Sequence, residues 1–185
     1  MIVVNNVSVD LGSRRILSNV SFKATESKVT VLLGPNGSGK TMLLNTVTGL
    51  IRPSEGFIKI DGFNPRDVKA KKLFVYVMEN PLLHRYFTGY QNIYYYLKLR
   101  GLNDKKINVL LERFAEAFGI HEDLHTPVEK YSMGMKRKLE LIEALIANPK
   151  YLILDEPLAH LDFKSAKLLR KFLEAFVQEN RGVLM

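Results

Sequence analysis

The chain contains no cysteine, which excludes disulfides and thiolate metal sites. A reducing compartment fits that absence without being required by it. No apolar run approaches the roughly 20 residues that a membrane-spanning helix needs. The opening residues, Met1-Ile2-Val3-Val4-Asn5-Asn6, lack the basic-then-apolar order of a secretory signal. A role at a membrane would therefore need a partner to supply the spans. Internal repeats and low-complexity tracts are absent, and histidine occurs only at 84, 121, 125 and 160. What remains is an ordinary globular composition, 46% hydrophobic and 25% charged over 185 residues, enough for one core with an inserted subdomain. The net charge of +8 favours anionic partners such as nucleotides, nucleic acid or anionic lipid, although a solvated positive surface is the simpler account.

Residues 2–9 and 16–24 alternate apolar and polar side chains around Gly12-Ser13, which predicts an antiparallel strand pair. Val29-Thr30-Val31-Leu32-Leu33 is nearly continuous in apolar character, as expected of a strand buried on both faces. Residues 42–50 carry Leu43, Leu44, Val47 and Leu50 at helical spacing. Further strands are expected at 57–60 and 73–78. From 80 to 130 strand signals vanish, and spacings such as Ile107, Leu110, Leu111, Phe114 and Phe118 predict a mostly helical insertion. A helix over 131–147, a buried strand over 151–154, an amphipathic helix over 163–177 capped by Asp162 and a strand from Gly182 complete the pattern.

Gly34-Pro35-Asn36-Gly37-Ser38-Gly39-Lys40-Thr41 matches G-x-x-x-x-G-K-[ST] in full, between an expected strand and an expected helix. Glycines let successive N–H groups turn inward around a phosphate without Cβ clashes. The start of the following helix adds its dipole at the same point. Lys40 brings a charge to the β- and γ-phosphates, and the Thr41 hydroxyl can ligate Mg²⁺. These residues make ATP and Mg²⁺ the expected ligands. Downstream, Tyr151-Leu152-Ile153-Leu154 runs into Asp155 and Glu156. A buried strand has little reason to end in two acids unless they meet a cation. Asp155 is placed to hold Mg²⁺, and Glu156 to orient or deprotonate the attacking water.

With both motifs placed, the chain resembles the nucleotide-binding subunit of an ATP-binding cassette (ABC) transporter over essentially all of residues 1–185. The family's second phosphate-binding element precedes the acidic strand, here Tyr131-Ser132-Met133-Gly134-Met135 followed by Lys136-Arg137-Lys138. Ser132 also suits a plain helix N-cap. Three cations in the first turns oppose the helix dipole, however, and make better sense if that end holds an anion. The resemblance implies an α/β fold: a P-loop NTPase core with an N-terminal antiparallel β subdomain and an inserted helical subdomain. It divides one domain into core segments 1–79 and 148–185 and a helical and signature segment 80–147. It also implies a head-to-tail dimer, homo- or heteromeric, in which Ser132 and Gly134 of one subunit cover the γ-phosphate held by the other. Asp162, within His160-Leu161-Asp162, falls at a dimer contact. A membrane permease would dock on the helical subdomain, placing the protein in the cytoplasm, peripheral to the inner or plasma membrane. Six aromatics, Tyr86, Phe87, Tyr90, Tyr94, Tyr95 and Tyr96, crowd the start of that subdomain and suggest an exposed docking patch.

Several positions depart from the family pattern. Leu11 stands where an aromatic usually stacks on adenine, and Met133 replaces a glycine. Glu79 stands where a glutamine normally senses Mg²⁺ and water, so it joins Thr41 and Asp155 as a candidate metal ligand. Met135 with Lys136-Arg137 is a variant associated with exporters. None of the four histidines can take the place of the family's γ-phosphate histidine, expected just after the strand at Gly182. Truncation at the C-terminus is the expected reason, and efficient turnover by these 185 residues alone is left open. The leading expectation is a transport-coupled ATPase with Lys40 and Glu156 as its catalytic residues and no nucleic-acid partner. Two alternatives remain: a soluble cassette ATPase acting on nucleic acid or ribosomes, and a non-hydrolysing, ATP-gated dimerisation module.

Overall fold

A computed structural model describes residues 1–185. In chain order its elements are β1 (Ile2–Leu11), β2 (Arg14–Ala24), β3 (Lys28–Thr30), α1 (Lys40–Val47), β4 (Glu55–Ile60), α2 (Val68–Lys71), β5 (Phe74–Val77), α3 (Gly89–Leu99), α4 (Asp104–Phe118), α5 (Met133–Ala147), β6 (Tyr151–Leu154), α6 (Phe163–Gln178) and β7 (Gly182–Leu184). Short 3₁₀ turns occupy His121–Asp123 and Val128–Lys130. The chain divides into two compact units, one of residues 1–76, 150–155 and 173–185, the other of 77–149 and 156–172. No helix is long and apolar enough to cross a membrane.

In the first unit the N-terminal alternation forms the expected antiparallel pair, and β4 extends it to the order β2-β1-β4. A parallel sheet of order β3-β7-β6-β5 lies in the same unit except for Val77. Ile2, Val4, Val7 and Val9 of β1, Ile58 and Ile60 of β4, and Ile153 and Leu184 of the parallel sheet share one core with Leu43, Leu44 and Val47 of α1. The helix after the glycine-rich loop is thus fixed by its apolar face. Strand β6 is buried throughout, as its sequence suggests.

The expectation for Val29–Leu33 is corrected. Only Lys28–Thr30 forms a strand, it lies at the sheet edge beside β7, and Val29, Val31 and Leu33 are exposed, Leu33 at 91%. Apolar run length does not say whether other elements cover both faces, and here the face carrying Val29, Val31 and Leu33 is open. The short helix α2 has no clear periodic signal and goes unread in the sequence.

The second unit is helical. Ile93 and Leu97 of α3, Ile107, Leu111, Ala115 and Phe118 of α4, and Leu139, Ile142 and Ile146 of α5 form its core. Local chemistry sets the helix ends. Thr88 and Gln91 form a capping box on α3, and Asn103 caps α4 at Lys106 N. Gly119 closes α4 in the left-handed conformation with φ 68°.

Two carboxylates of α5 lie among these helices. Glu140 accepts a hydrogen bond from Leu82 N at 3.0 Å, yet burial raises its pKa to about 7. Glu143 is pushed up to about 8, by burial first and by the charge of Glu140 second, while Arg100 pulls it down. In the unfolded chain both ionise near pH 4.3. Above that pH the folded chain holds more protons than the unfolded one, so stability falls as pH rises, and the loss is complete only above about pH 8. Glu143→Gln is expected to raise unfolding free energy by about 1–3 kcal/mol near pH 9, and by less than half of that near pH 5. Urea unfolding at the two pH values checks the difference.

A backbone test comes from β4. Gly56 has φ 78°, and a Cβ there would run into the carbonyl oxygens of Asn5 and Asn6. Gly62 has φ 83° with open space around the same atom. Alanine at Gly62 should cost about 1 kcal/mol and alanine at Gly56 about 2–4 kcal/mol. Thermal unfolding of the two variants measures the gap.

Candidate functional site

The loop Gly34–Thr41 leads into α1 through two residues in the left-handed region, Gly37 at φ 78° and Gly39 at φ 94°. A Cβ at Gly34 would come within 2.7 Å of Ser38 Oγ, and one at Gly39 within 2.9 Å of Leu17 Cδ2. At Gly37 and Gly39 the positive φ itself favours glycine, whereas at Gly34 a side chain would only need Ser38 to move. Gly39 is the N-cap of α1 and offers no side chain, so the first N–H groups of the helix receive no side-chain acceptor. Lys40 lies back over the loop, its Nζ donating to the carbonyls of Gly34 at 2.8 Å and Pro35 at 3.2 Å. Thr41 is exposed beside it. Uncapped helix N–H groups, a lysine and a hydroxyl on one loop form a donor set suited to phosphate.

Asp155 belongs to the same unit, at the end of β6. It is 3% exposed, and its Oδ2 has no hydrogen-bond partner. A buried carboxylate oxygen without a partner is costly, and a cation is the partner that removes the cost. On that observation the residues present fit Mg²⁺, and Asp155 and Thr41 are those of this unit that would hold it. Glu156 is exposed and adopts φ 47°. This left-handed residue turns the chain sharply after β6, so that successive acids have opposite environments, one buried and one in solvent.

The remaining sequence candidates lie in the second unit. Ser132 caps α5, its Oγ accepting from Met135 N at 3.2 Å. The cap uses a lone pair and leaves the O–H as a donor, so capping and anion binding are compatible. Gly134 faces the backbone of His160, whose carbonyl would lie 2.8 Å from a Cβ there. Packing within the chain thus already requires a glycine at 134. Glu79 is exposed.

The reading of Lys136-Arg137-Lys138 as three anion-facing cations is corrected. Lys138 pairs with Asp162 at 2.7 Å, and Arg137 is buried against the backbone of the 78–79 segment. Only Lys136 has no such partner assigned. Asp162 itself is held well below the usual carboxylate range by Lys138, and it caps α6 through Ser165 N at 2.8 Å. Its capping role matches the sequence pattern, whereas its ion pair with Lys138 was not legible there. Leu11 is exposed at the end of β1. Of the six clustered aromatics, Tyr86 and Tyr95 are open to solvent at 65% and 53%, and the other four are half-buried.

A family model described as ABC transporter matches residues 17–159. The uncharacterized ABC transporter ATP-binding protein YdbJ of Bacillus subtilis is 32% identical over 185 residues, covering 98% of this chain and 59% of its own length. The lantibiotic transport ATP-binding protein SrtF of Streptococcus pyogenes is 32% identical over 187 residues, covering 100% of this chain and 79% of its own. A solved structure described as the ATP binding subunit of an ABC transporter superposes with a TM-score of 0.92 at 25% identity, covering 99% of this chain and 77% of that one. The chain therefore spans less than two thirds of the length of the first of these relatives. Motifs, fold and relatives agree, and the chain belongs to the family of ABC transporter ATP-binding proteins.

Proposed function

We propose that this chain is the ATP-hydrolysing part of a subunit that energises transport across a membrane. The observation that carries the reading is the buried Asp155 oxygen without a partner, in the same unit as a helix start that has no side-chain cap. Such a unit is prepared for a polyanion and its cation together. Lys40 and the loop N–H groups of residues 34–41 bind the β- and γ-phosphates. Thr41 and Asp155 hold Mg²⁺, with Glu79 as a further ligand. When bound, Mg²⁺ neutralises charge on the phosphate oxygens. Glu156 accepts the proton of the attacking water.

The protein works as a dimer, homo- or heteromeric, closed head to tail on ATP. Ser132 and Gly134 of one subunit then face the γ-phosphate bound by the other. Support for this comes from the Ser132 hydroxyl, which caps α5 with its oxygen and keeps its proton for a second acceptor. Asp162 stays tied to Lys138 and Ser165, so at the contact it shapes the loop after Glu156. A membrane permease docks on the helical unit, holding the subunit at the cytoplasmic face of the inner or plasma membrane. Export is the direction we favour, on the Met135-Lys136-Arg137 variant and on a relative named for lantibiotic transport. Nothing in the relatives favours a nucleic-acid or non-hydrolysing role.

Two measurements test the reading. In the full-length protein Glu156→Gln should lower ATP turnover by about 10²-fold or more while preserving dimers that form with ATP. Normal hydrolysis by that variant would remove the general-base assignment, and a monomer with ATP bound would remove the dimer. Separately, Tyr86→Ser with Tyr95→Ser should weaken recovery of the permease at least tenfold and leave ATP binding within about twofold. Undiminished assembly would place the docking surface elsewhere.

A further inference from the structure

A cavity of about 290 Å³ lies wholly within the first unit, beside the edge strand β4. Thr46, in the last turn of α1, and Gly49 just beyond it line this cavity, so it sits at the far end of that helix from Gly34–Thr41. Helix α1 has 8 residues and a length of about 12 Å, too long for one phosphate group to touch both places. The cavity wall combines apolar Ile51, Pro53 and Phe57 with three exposed cations, Arg52, Lys59 and Arg66, and no carboxylate lines it.

Three like charges around so small a space repel one another unless acids offset them. The acids nearest in sequence are engaged elsewhere. Glu55 pairs with Arg15 at 2.8 Å, Asp61 accepts from Lys150 and Tyr151, and Asp67 accepts from Asn64 N at 3.1 Å. Nor is Arg66 loosely attached. Its N–H donates to Asn64 Oδ1 at 3.0 Å, and its Cγ would lie 2.9 Å from a Cβ at Gly49, where φ is 79°. The stem is thus packed against the end of α1. The carbonyls of Asn45 and Thr46, which would repel an anion there, already accept from the N–H groups of residues 49–51. On β4, Ile58 and Ile60 enter the core, which leaves Phe57 and Lys59 on the outward face, Phe57 at 47% exposure. A merely solvated cationic surface needs no apolar wall, and a neutral ligand needs no three cations. Both together suit a small organic anion. Two guanidinium forks and an ammonium match the charge and oxygens of a phosphate. The volume is at the lower limit for ligand cavities, with room for one ring-sized group beside that phosphate.

We propose that this cavity is a second anion site, which binds a phosphomonoester carrying a small apolar or aromatic group. Arg52, Lys59 and Arg66 hold the phosphate, and Ile51, Pro53 and Phe57 cover the organic part. The site is separate from the phosphate loop and does not depend on how that loop is read.

The test is calorimetric titration of phenyl phosphate into the full-length protein, with its phosphate loop filled by a non-hydrolysable ATP analogue and MgCl₂. A dissociation constant below about 1 mM is expected. Inorganic phosphate should bind about tenfold more weakly, because it leaves the apolar wall uncovered. Arg52→Gln and Arg66→Gln should each weaken phenyl phosphate about tenfold, and Lys59→Glu further still. Glutamine keeps most of the stem that packs on Gly49, so the Arg66 variant keeps the fold of the wall. Lys40→Ala, titrated without the analogue, should stay within about twofold of the parent. A second arm sediments the same proteins with phosphatidylcholine vesicles containing phosphatidic acid, itself a phosphomonoester. Retention that falls about tenfold in both arginine variants makes a lipid headgroup the source of the phosphate, and unchanged retention leaves the soluble ester. The proposal is overturned if phenyl phosphate does not bind and vesicle retention ignores the arginines. It is also overturned if inorganic phosphate binds as tightly as the ester, or if Lys40→Ala abolishes binding that the arginine variants keep.

Discussion

The start of α1 is the constraint on which the first unit turns. Helices α3, α4 and α5 all begin with a side chain that accepts one of their free N–H groups, namely Thr88, Asn103 and Ser132. Helix α1 begins at a left-handed glycine with no side chain to give. With glycine at the N-cap the missing side-chain bond costs only about a few tenths of a kcal/mol, so what the start of α1 lacks is an acceptor rather than stability. The helix forms nevertheless, because Leu43, Leu44 and Val47 are buried in the main core. Tertiary packing thus holds open a set of donors that local chemistry would otherwise have satisfied. Water can satisfy those donors, but an anion also gains from the helix dipole and from the neighbouring Lys40.

Much of what was local in this chain was legible in its sequence, although the short α2 and the caps at Thr88 and Asn103 were not read. The alternation in β1 and β2, the phosphate loop, the Asp155-Glu156 pair, the Ser132 cap and the Asp162 cap each depend on residues a few positions apart. Features that depend on distant neighbours were not. The apolar run at Val29–Leu33 looks like a strand buried on both faces, but burial depends on what packs over each face, and the face with Val29, Val31 and Leu33 is open. Arg137 and Lys138 look alike beside Lys136, and no spacing rule says that one goes inward to the 78–79 carbonyls and the other to Asp162. Gly134 shows a mixed case. Its place in a stretch resembling the family's second phosphate-binding element was readable, but its packing against the His160 carbonyl was not.

That second reason for Gly134 changes how the motif is to be understood. A glycine needed for phosphate approach and a glycine needed for close packing make the same sequence signal. Loss of function in a Gly134 variant would not separate the two. Ser132 divides more cleanly, since its oxygen is engaged within the chain and its proton is not. Chemistry toward a second subunit is therefore better argued from the serine than from the glycine.

The stretch after β6 shows where backbone strain serves the site. Glu156 and His160 both lie in the left-handed region, at φ 47° and 63°, without being glycine. Each such residue costs about 1–2 kcal/mol, so the turn persists only because other interactions hold it. Ala159 N bonds the Glu156 carbonyl at 3.0 Å, the His160 carbonyl packs onto Gly134, and Asp162 is fixed by Lys138 and Ser165. The outcome is a chain that buries one carboxylate and exposes the next. A regular strand would also send successive side chains to opposite faces, but in a sheet buried on both faces that would bury both acids. The left-handed turn is what allows Asp155 to sit buried at the end of β6 while the next carboxylate, Glu156, stays exposed to solvent.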